Sequence, residues 1–333
     1  MNIYNIHSEI EFSYPDASQL NNSLAQMIKL DAAARYAFSV TSFLPGVQTQ
    51  WAKLYKTASL GRTNIRSHTE TVIIHLTRSL KQLNKLRSEY PQLTDSEDQD
   101  DNLHLRELEL GTAEKKYKDY LGLLLKQVSE LEGLTLNTEQ LISYTPGLKA
   151  DAQGFDDEIT AIDTRMATLE IERKTLTDGM LPLEKTGFTD IAKDALLSAE
   201  SVNNLGVSPP EAELVKLAIA HMQKVLEGIG RNLNYLEMYK ERERVIAKIK
   251  VETEVRGRVE EKQTESGHKI VLVDSVLNLY AEYISVTHEL VKVKHSVEQF
   301  DRLVSNENAD HDDKESRFVN TAQALISYLE TVR

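Results

Sequence analysis

Cysteine is absent from the 333-residue sequence, which excludes disulfides, thiolate metal sites and cysteine nucleophiles together. Glycine and proline are scarce, 14 and 7 in the whole chain, and they gather at a few places, so the elements between them are long. No run of ~20 consecutive apolar residues, the length a membrane-spanning helix needs, occurs anywhere. The longest charge-free stretch, Tyr36 to Ala52, contains Pro45-Gly46 and reads as a corner between helices. Apolar and polar residues do not alternate between turn signals, so strands are not expected. No repeat of 20–50 residues is visible, which disfavours a solenoid.

Basic patches are missing too. The net charge is −13, and such a chain repels a nucleic-acid backbone unless a local basic stripe overrides the field. The densest basic stretch, Glu241 to Lys262, interleaves Arg242, Arg244, Lys248, Lys250, Arg256 and Arg258 with as many glutamates, the pattern of a solvated helix face. Nucleic acid is therefore not an expected partner. The N-terminus, Met1 to Asp16, lacks the basic and apolar regions of a secretory signal, so export is expected without a conventional signal peptide.

Catalytic constellations are equally sparse. There is no glycine-rich phosphate loop and no His-Glu-x-x-His pair. A carboxylate di-metal site in a helical bundle needs two Glu-x-x-His pairs, and only Glu265-Ser-Gly-His268 matches. His68 and His75, like His288 and His295, stand seven apart and share a helix face, which suits surface or boundary histidines. The acidic stretch Asp95 to Asp101 lacks the central glycine and terminal glutamate of a calcium loop. No catalytic residue, cofactor-binding residue, metal ligand or small-molecule substrate can be nominated, and an enzyme is not expected.

What the chain does contain is helical periodicity. Apolar residues make up 41% and charged residues 27%, enough for both a core and a solvated surface. Asp16 is a candidate N-cap for a first helix carrying Leu20, Leu24, Met27, Ala34 and Phe38 up to Pro45-Gly46. A second helix runs to Tyr90 with Trp51, Leu54, Ile65, Val72, Leu76, Leu83 and Leu86 on one seam. From Asn102 to Ser143, Leu110, Tyr117, Leu124 and Leu131 recur every seven residues. Beyond Pro146-Gly147, Phe155, Ile159, Ile162, Met166, Leu169 and Leu176 resume the spacing to Asp178. If the proline only kinks the helix, residues 102–178 form one arm.

A second arm is expected from Pro209-Pro210 to about Thr264, on the seam Val215, Ile219, Met222, Leu226, Ile229, Leu233 and Leu236. Gly267 supplies a turn after it. Ile270, Leu277, Ile284 and Val291 then hold seven-residue spacing, and a final helix carries Phe318, Leu325 and Leu329. The fold class is all-α: an elongated antiparallel bundle of long coiled-coil-like helices. Residues 1–178 and 231–333 form its body, and 179–230 a short amphipathic tip between the two arms.

The segment Gly179 to Pro210 departs from a plain bundle. It opens with Gly179-Met-Leu-Pro-Leu183, carries a stripe from Phe188 through Ile191 and Leu196 to Val202, and is bounded by Gly179, Pro182, Gly187, Gly206, Pro209 and Pro210. An amphipathic helix ordinarily buries its stripe in its own protein. A segment joining two arms can also exchange that shelter for lipid or a partner, with Met180, Leu181, Leu183, Phe188, Ile191, Leu196 and Val202 as contacts and the glycines and prolines as hinge.

With the tip opening, the 188–202 stripe and the Val215 to Leu236 seam, the chain resembles the α-helical pore-forming toxins of the cytolysin A type. Within them it is most similar to the B component of xenorhabdolysin-type binary cytotoxins. The resemblance implies a soluble protomer that meets a companion A component, joins a hetero-oligomeric ring on a target-cell membrane and perforates it without enzymatic turnover or cofactor. Glu184, Lys185, Asp190, Lys193 and Asp194 interrupt the tip, which favours dependence on a more hydrophobic companion. The competing expectation is a non-lytic coiled-coil scaffold or tether of a phage or secretion apparatus.

Overall fold

The computed structural model describes residues 12–187, 196–204, 206–226, 233–305 and 311–333. Among them there is no strand. Seven α-helices occur: α1 Ala17–Val40, α2 Pro45–Glu89, α3 Ser96–Glu132, α4 Thr138–Lys185, α5 Pro209–Leu226, α6 Tyr235–Val304 and α7 His311–Val332. Short 3-10 turns occupy Tyr90–Gln92 and Ser201–Asn204. Two compact units result, one of residues 1–145 with 269–333 and one of residues 146–268. The boundaries drawn from sequence at 178 and 231 both fall inside the second.

Local signals account for several helix ends. Asp16 caps α1 by accepting from the Gln19 N–H at 2.9 Å. Pro45 opens α2 at a position where a missing N–H costs nothing, just after Leu44 at φ 53°. Asp95 caps α3, whose first turn carries Glu97 and Asp98 against the positive end of the helix dipole. The acidic stretch is thus a helix start.

In the first unit α2 and α3 run antiparallel. Asn64 donates to Gln127 (3.4 Å), the Thr69 and Tyr120 hydroxyls bond (2.9 Å), Ser79 donates to Glu109 (2.6 Å) and Asn102 to the Leu86 carbonyl (3.1 Å). Numbers rise on one helix as they fall on the other. All seven seam residues expected on α2 are buried, as are Leu110, Tyr117, Leu124 and Leu131 on α3 and Phe318, Leu325 and Leu329 on α7. The row expected on α6 is displaced. Ile284 is exposed, and the buried series is Leu272, Val276, Leu279, Tyr283, Val286, Leu290, Val293, Val297 and Phe300, in unbroken steps of four and three. Two apolar rows share this helix, and the neighbours chose the longer one.

Tyrosine hydroxyls tie these helices together. Tyr283 donates to the Leu131 carbonyl at the end of α3 (2.5 Å), and Tyr117 to the Val297 carbonyl (3.2 Å). Burial pushes Tyr120 and Tyr283 up to about 12, and Tyr117 and Tyr328 higher still. Because these values are raised above the unfolded phenol near 10, the stability they supply is complete below pH ~10 and is lost as pH rises through ~12. Urea midpoints are expected to be level from pH 8 to about 10. They should then fall, with a loss of about 1 kcal/mol per buried tyrosine by pH 11.

In the second unit α4 and the first part of α6 pair antiparallel. Ser266 donates to the Leu148 carbonyl (3.2 Å), Gln263 to Asp156, Arg256 to Asp163 (2.7 Å), Arg165 to Glu252 (2.9 Å) and Tyr235 to Glu184 (2.7 Å). Residues 146–185 extend about 60 Å at ~1.5 Å per residue. Ile162 and Leu176 are buried, but Phe155, Ile159, Met166 and Leu169 are only half-buried, since a helix pair encloses a narrow strip.

Four sequence boundaries are corrected. Helix α3 stops at Glu132 rather than Ser143: Gly133 stands at its C-cap, and Asn137 caps the start of α4 by accepting from the Gln140 N–H (3.1 Å). Pro146 lies inside α4 with its ring exposed, where the freed carbonyl can take water. The second arm is not continuous from Pro209: α5 ends at Leu226, Leu233 and Asn234 are not helical, and Asn234 caps α6 through the Glu237 N–H (2.9 Å). Gly267 makes no turn. It lies within α6 with no atom within 4 Å of the place a Cβ would take.

Candidate membrane- and partner-contact site

The end of α4, the turn Ser201–Asn204, α5 and the start of α6 enclose a small apolar cluster. Leu176, Met180 and Leu183 of α4 join Val215, Ala218, Ile219 and Met222 of α5, with Leu197, Val202, Leu233 and Met238. Helix α5 runs back along α4: Lys185 pairs with Glu211 (3.2 Å), while Gly179 lies against Ala218 and Leu214 further along. A Cβ on Gly179 would run into the Ala218 methyl and come within 3.0 Å of the Leu214 carbonyl oxygen. Only glycine allows this approach.

The start of α5 is set by Ser208-Pro-Pro-Glu211. Pro209 and Pro210 occupy the first turn. The Ser208 hydroxyl (2.7 Å) and N–H (3.2 Å) both donate to the Glu211 carboxylate. Those bonds, with Lys185, hold the Glu211 carboxyl below its usual value. On the far side the Leu197 N–H donates to the Leu233 carbonyl (2.9 Å), tying the segment before α5 to the entry of α6.

The seven contact residues expected from sequence divide into groups. Met180, Leu183 and Val202 are fully buried in the cluster. Leu181 (46%) and Leu196 (61%) are exposed to solvent. Phe188 and Ile191 lie outside the described residues. Of the six hinge positions, Gly187 (φ 68°) and Gly206 (φ 70°) take the left-handed backbone that favours glycine. Gly179 and Pro182, expected at a hinge, lie inside α4, and Pro209 and Pro210 open α5.

Sequence reasoning missed Leu214 and Leu217, the latter 60% exposed. They form a second apolar row on α5, one turn apart and off the buried stripe. The signal was present in the breadth of apolar character in residues 212–222, wider than one face requires. The site holds no metal-ligating group of three or more acidic or histidine residues among the described positions. Its chemistry is apolar area, some sheltered and some open.

Gly179→Val is expected to force α5 away from α4, at a cost of about 1–3 kcal/mol. Dye binding to exposed apolar surface should rise below the main thermal transition, and an exposed control such as Gly154→Val should not raise it.

No protein-family model matches the sequence, and no curated protein matches it by sequence comparison. Solved structures do match. PaxB from Photorhabdus luminescens aligns at 14% identity over 96% of each chain with a TM-score of 0.70. XaxB from Xenorhabdus nematophila aligns at 16% identity over 95% of this chain and 96% of its own, at 0.71. This chain has their fold. A chain of the XaxAB pore complex from Xenorhabdus nematophila aligns at 16% identity over 96% and 97%, at 0.61. The likeness spans both compact units and leaves almost no residue of either chain unmatched.

Proposed function

We propose that this chain is one subunit of a two-component α-helical pore-forming cytotoxin, and that it meets its companion and the target membrane through residues 179–230. The carrying observation is fold likeness from end to end, with 95–97% of both chains aligned, to XaxB and to a chain of the XaxAB pore complex.

The tip supplies the physical means. Its buried members gain shelter worth roughly 25 cal/mol per Å² inside this molecule and would recover it against lipid or another subunit. Leu181, Leu196 and Leu217 are already open for a first contact. Glu184 and Lys185 at the end of α4 keep the segment from inserting alone, so a companion with a more apolar hairpin is required. In this reading the chain is exported by a non-classical route, is soluble first and membrane-bound later, and joins a hetero-oligomeric ring without turnover of any substrate.

The test is release of dye from vesicles and lysis of red cells by the chain alone, by the product of the neighbouring gene alone, and by both. Release is expected only with both. Constitutive oligomers in dilute buffer, together with indifference to vesicles in every combination, would instead identify a scaffold.

A further inference from the structure

Residues 12–16 precede α1 without regular secondary structure and lie against α6 and α7, held by main-chain hydrogen bonds and two ring contacts. The Ser13 N–H donates to Ser296 Oγ (2.9 Å), and the Ser13 carbonyl accepts from the Tyr328 hydroxyl (2.9 Å) and from Ser296 Oγ (3.1 Å). The Asp16 N–H donates to Glu289 Oε2 (2.6 Å). Phe12 stacks on the Tyr328 ring at 4.7 Å, and Tyr14 meets its edge at 5.1 Å. Glu289, Ser296 and Tyr328 are all buried. The groove thus holds a backbone segment and two aromatic rings, Phe12 and Tyr14, both against Tyr328.

The α6 side of this groove is satisfied twice over. Ser296 Oγ has the Lys292 carbonyl at 3.0 Å as an alternative acceptor for its single proton. Both Glu289 oxygens lie 2.8 Å from Lys292 Nζ, so the carboxylate keeps a counter-charge without the Asp16 N–H. Asp16 caps α1 with its side chain, which does not depend on the groove. Departure of residues 12–16 strands no charge and uncaps no helix, and Ser13, Tyr14 and Asp16 are already exposed.

We propose that residues 12–16 are a releasable strap. It peels from α6 and α7 while the helices stay formed, and assembly uses the released state. The assembly step rests on the cytotoxin reading; the opening does not.

Hydrogen exchange on the full soluble chain tests the opening. The Ser13 and Asp16 amides, the two that donate to the groove, are expected to exchange at least a hundredfold faster than those of the α2–α3 pair. Tyr328→Phe should quicken strap exchange about fivefold, the factor carried by one typical hydrogen bond, and leave α2–α3 unchanged. Phe12→Ala, which alters only the strap side, should do the same if the core variant folds poorly. Strap amides that exchange together with α2–α3, or variants that speed both alike, overturn the proposal. The same measurement on chain assembled with its companion on phosphatidylcholine–cholesterol vesicles should find the strap unprotected by its own groove, and unchanged protection there rejects its role in assembly. Absence of lysis by the wild-type pair would count against the cytotoxin reading alone and leave the opening standing.

Discussion

Lytic activity is expected to fall at least a hundredfold when Leu181 and Leu217 are both replaced by aspartate, with the melting temperature of the soluble chain unchanged. The two side chains are 46% and 60% exposed, so in the soluble fold each new carboxylate is hydrated and disturbs no packing. Transfer to lipid reverses the balance. An aspartate at the centre of a membrane helix costs about 3 kcal/mol on insertion scales, and less near the interface. Two such penalties exceed the 2.7 kcal/mol that corresponds to about a hundredfold change in an equilibrium. Vesicle dye release with the companion measures the effect, and circular dichroism melting provides the control. Full activity in this variant would show that the α4–α5 face meets neither lipid nor partner.

Arg106→Ala is expected to destabilise the chain by about 3–5 kcal/mol, a large share of the ~5–15 kcal/mol typical of a folded domain. Arg106 of α3 donates to Glu315 of α7 through Nε (2.7 Å), and its Nη2 lies 2.5 Å from the same oxygen. Arg87 of α2 stands 3.6 Å from the other. The Arg106 and Glu315 side chains are 8% and 1% exposed, so removing the guanidinium leaves a carboxylate out of reach of water. Replacing both partners, as Arg106→Met with Glu315→Leu, is expected to recover most of the loss, since the interior then holds no uncompensated charge. Urea unfolding of the single and double variants decides it. A loss below about 1 kcal/mol in Arg106→Ala would mean that Arg87 or water already carries the compensation.

Much of the helical plan could be read from periodicity. The seams of α2 and α3 and the final row on α7 were legible because each helix presents a single dominant apolar row, and a row at 3.5-residue spacing has one way to face a neighbour. The candidate site was legible in outline for a related reason. A stretch with clustered glycine and proline and few charges interrupts an otherwise charged helical chain. Its internal arrangement was not legible. Met180 and Leu183 continue the Leu169–Leu176 row at steps of four and three and are buried, while Leu181 lies off that row and is exposed, but the way α5, Val202 and Met238 close over the row has no local signature.

The sequence by itself determined that this protein is all-helical, that its helices are long, and that it carries none of the side-chain constellations recognisable as catalytic. Period, sparse helix breakers and the absence of cysteine suffice for those conclusions, because each is a property of the chain within a few turns. Only the tertiary structure decided which of two apolar rows on α5 and α6 is buried. It also decided that Pro146, Gly179 and Gly267 continue helices, and that residues 12–16 return to α6 and α7. The reason is that a helix has the same local period whichever of its faces is covered. A proline on a solvent face, or a glycine against a close neighbour, costs little or helps according to what another part of the chain places beside it.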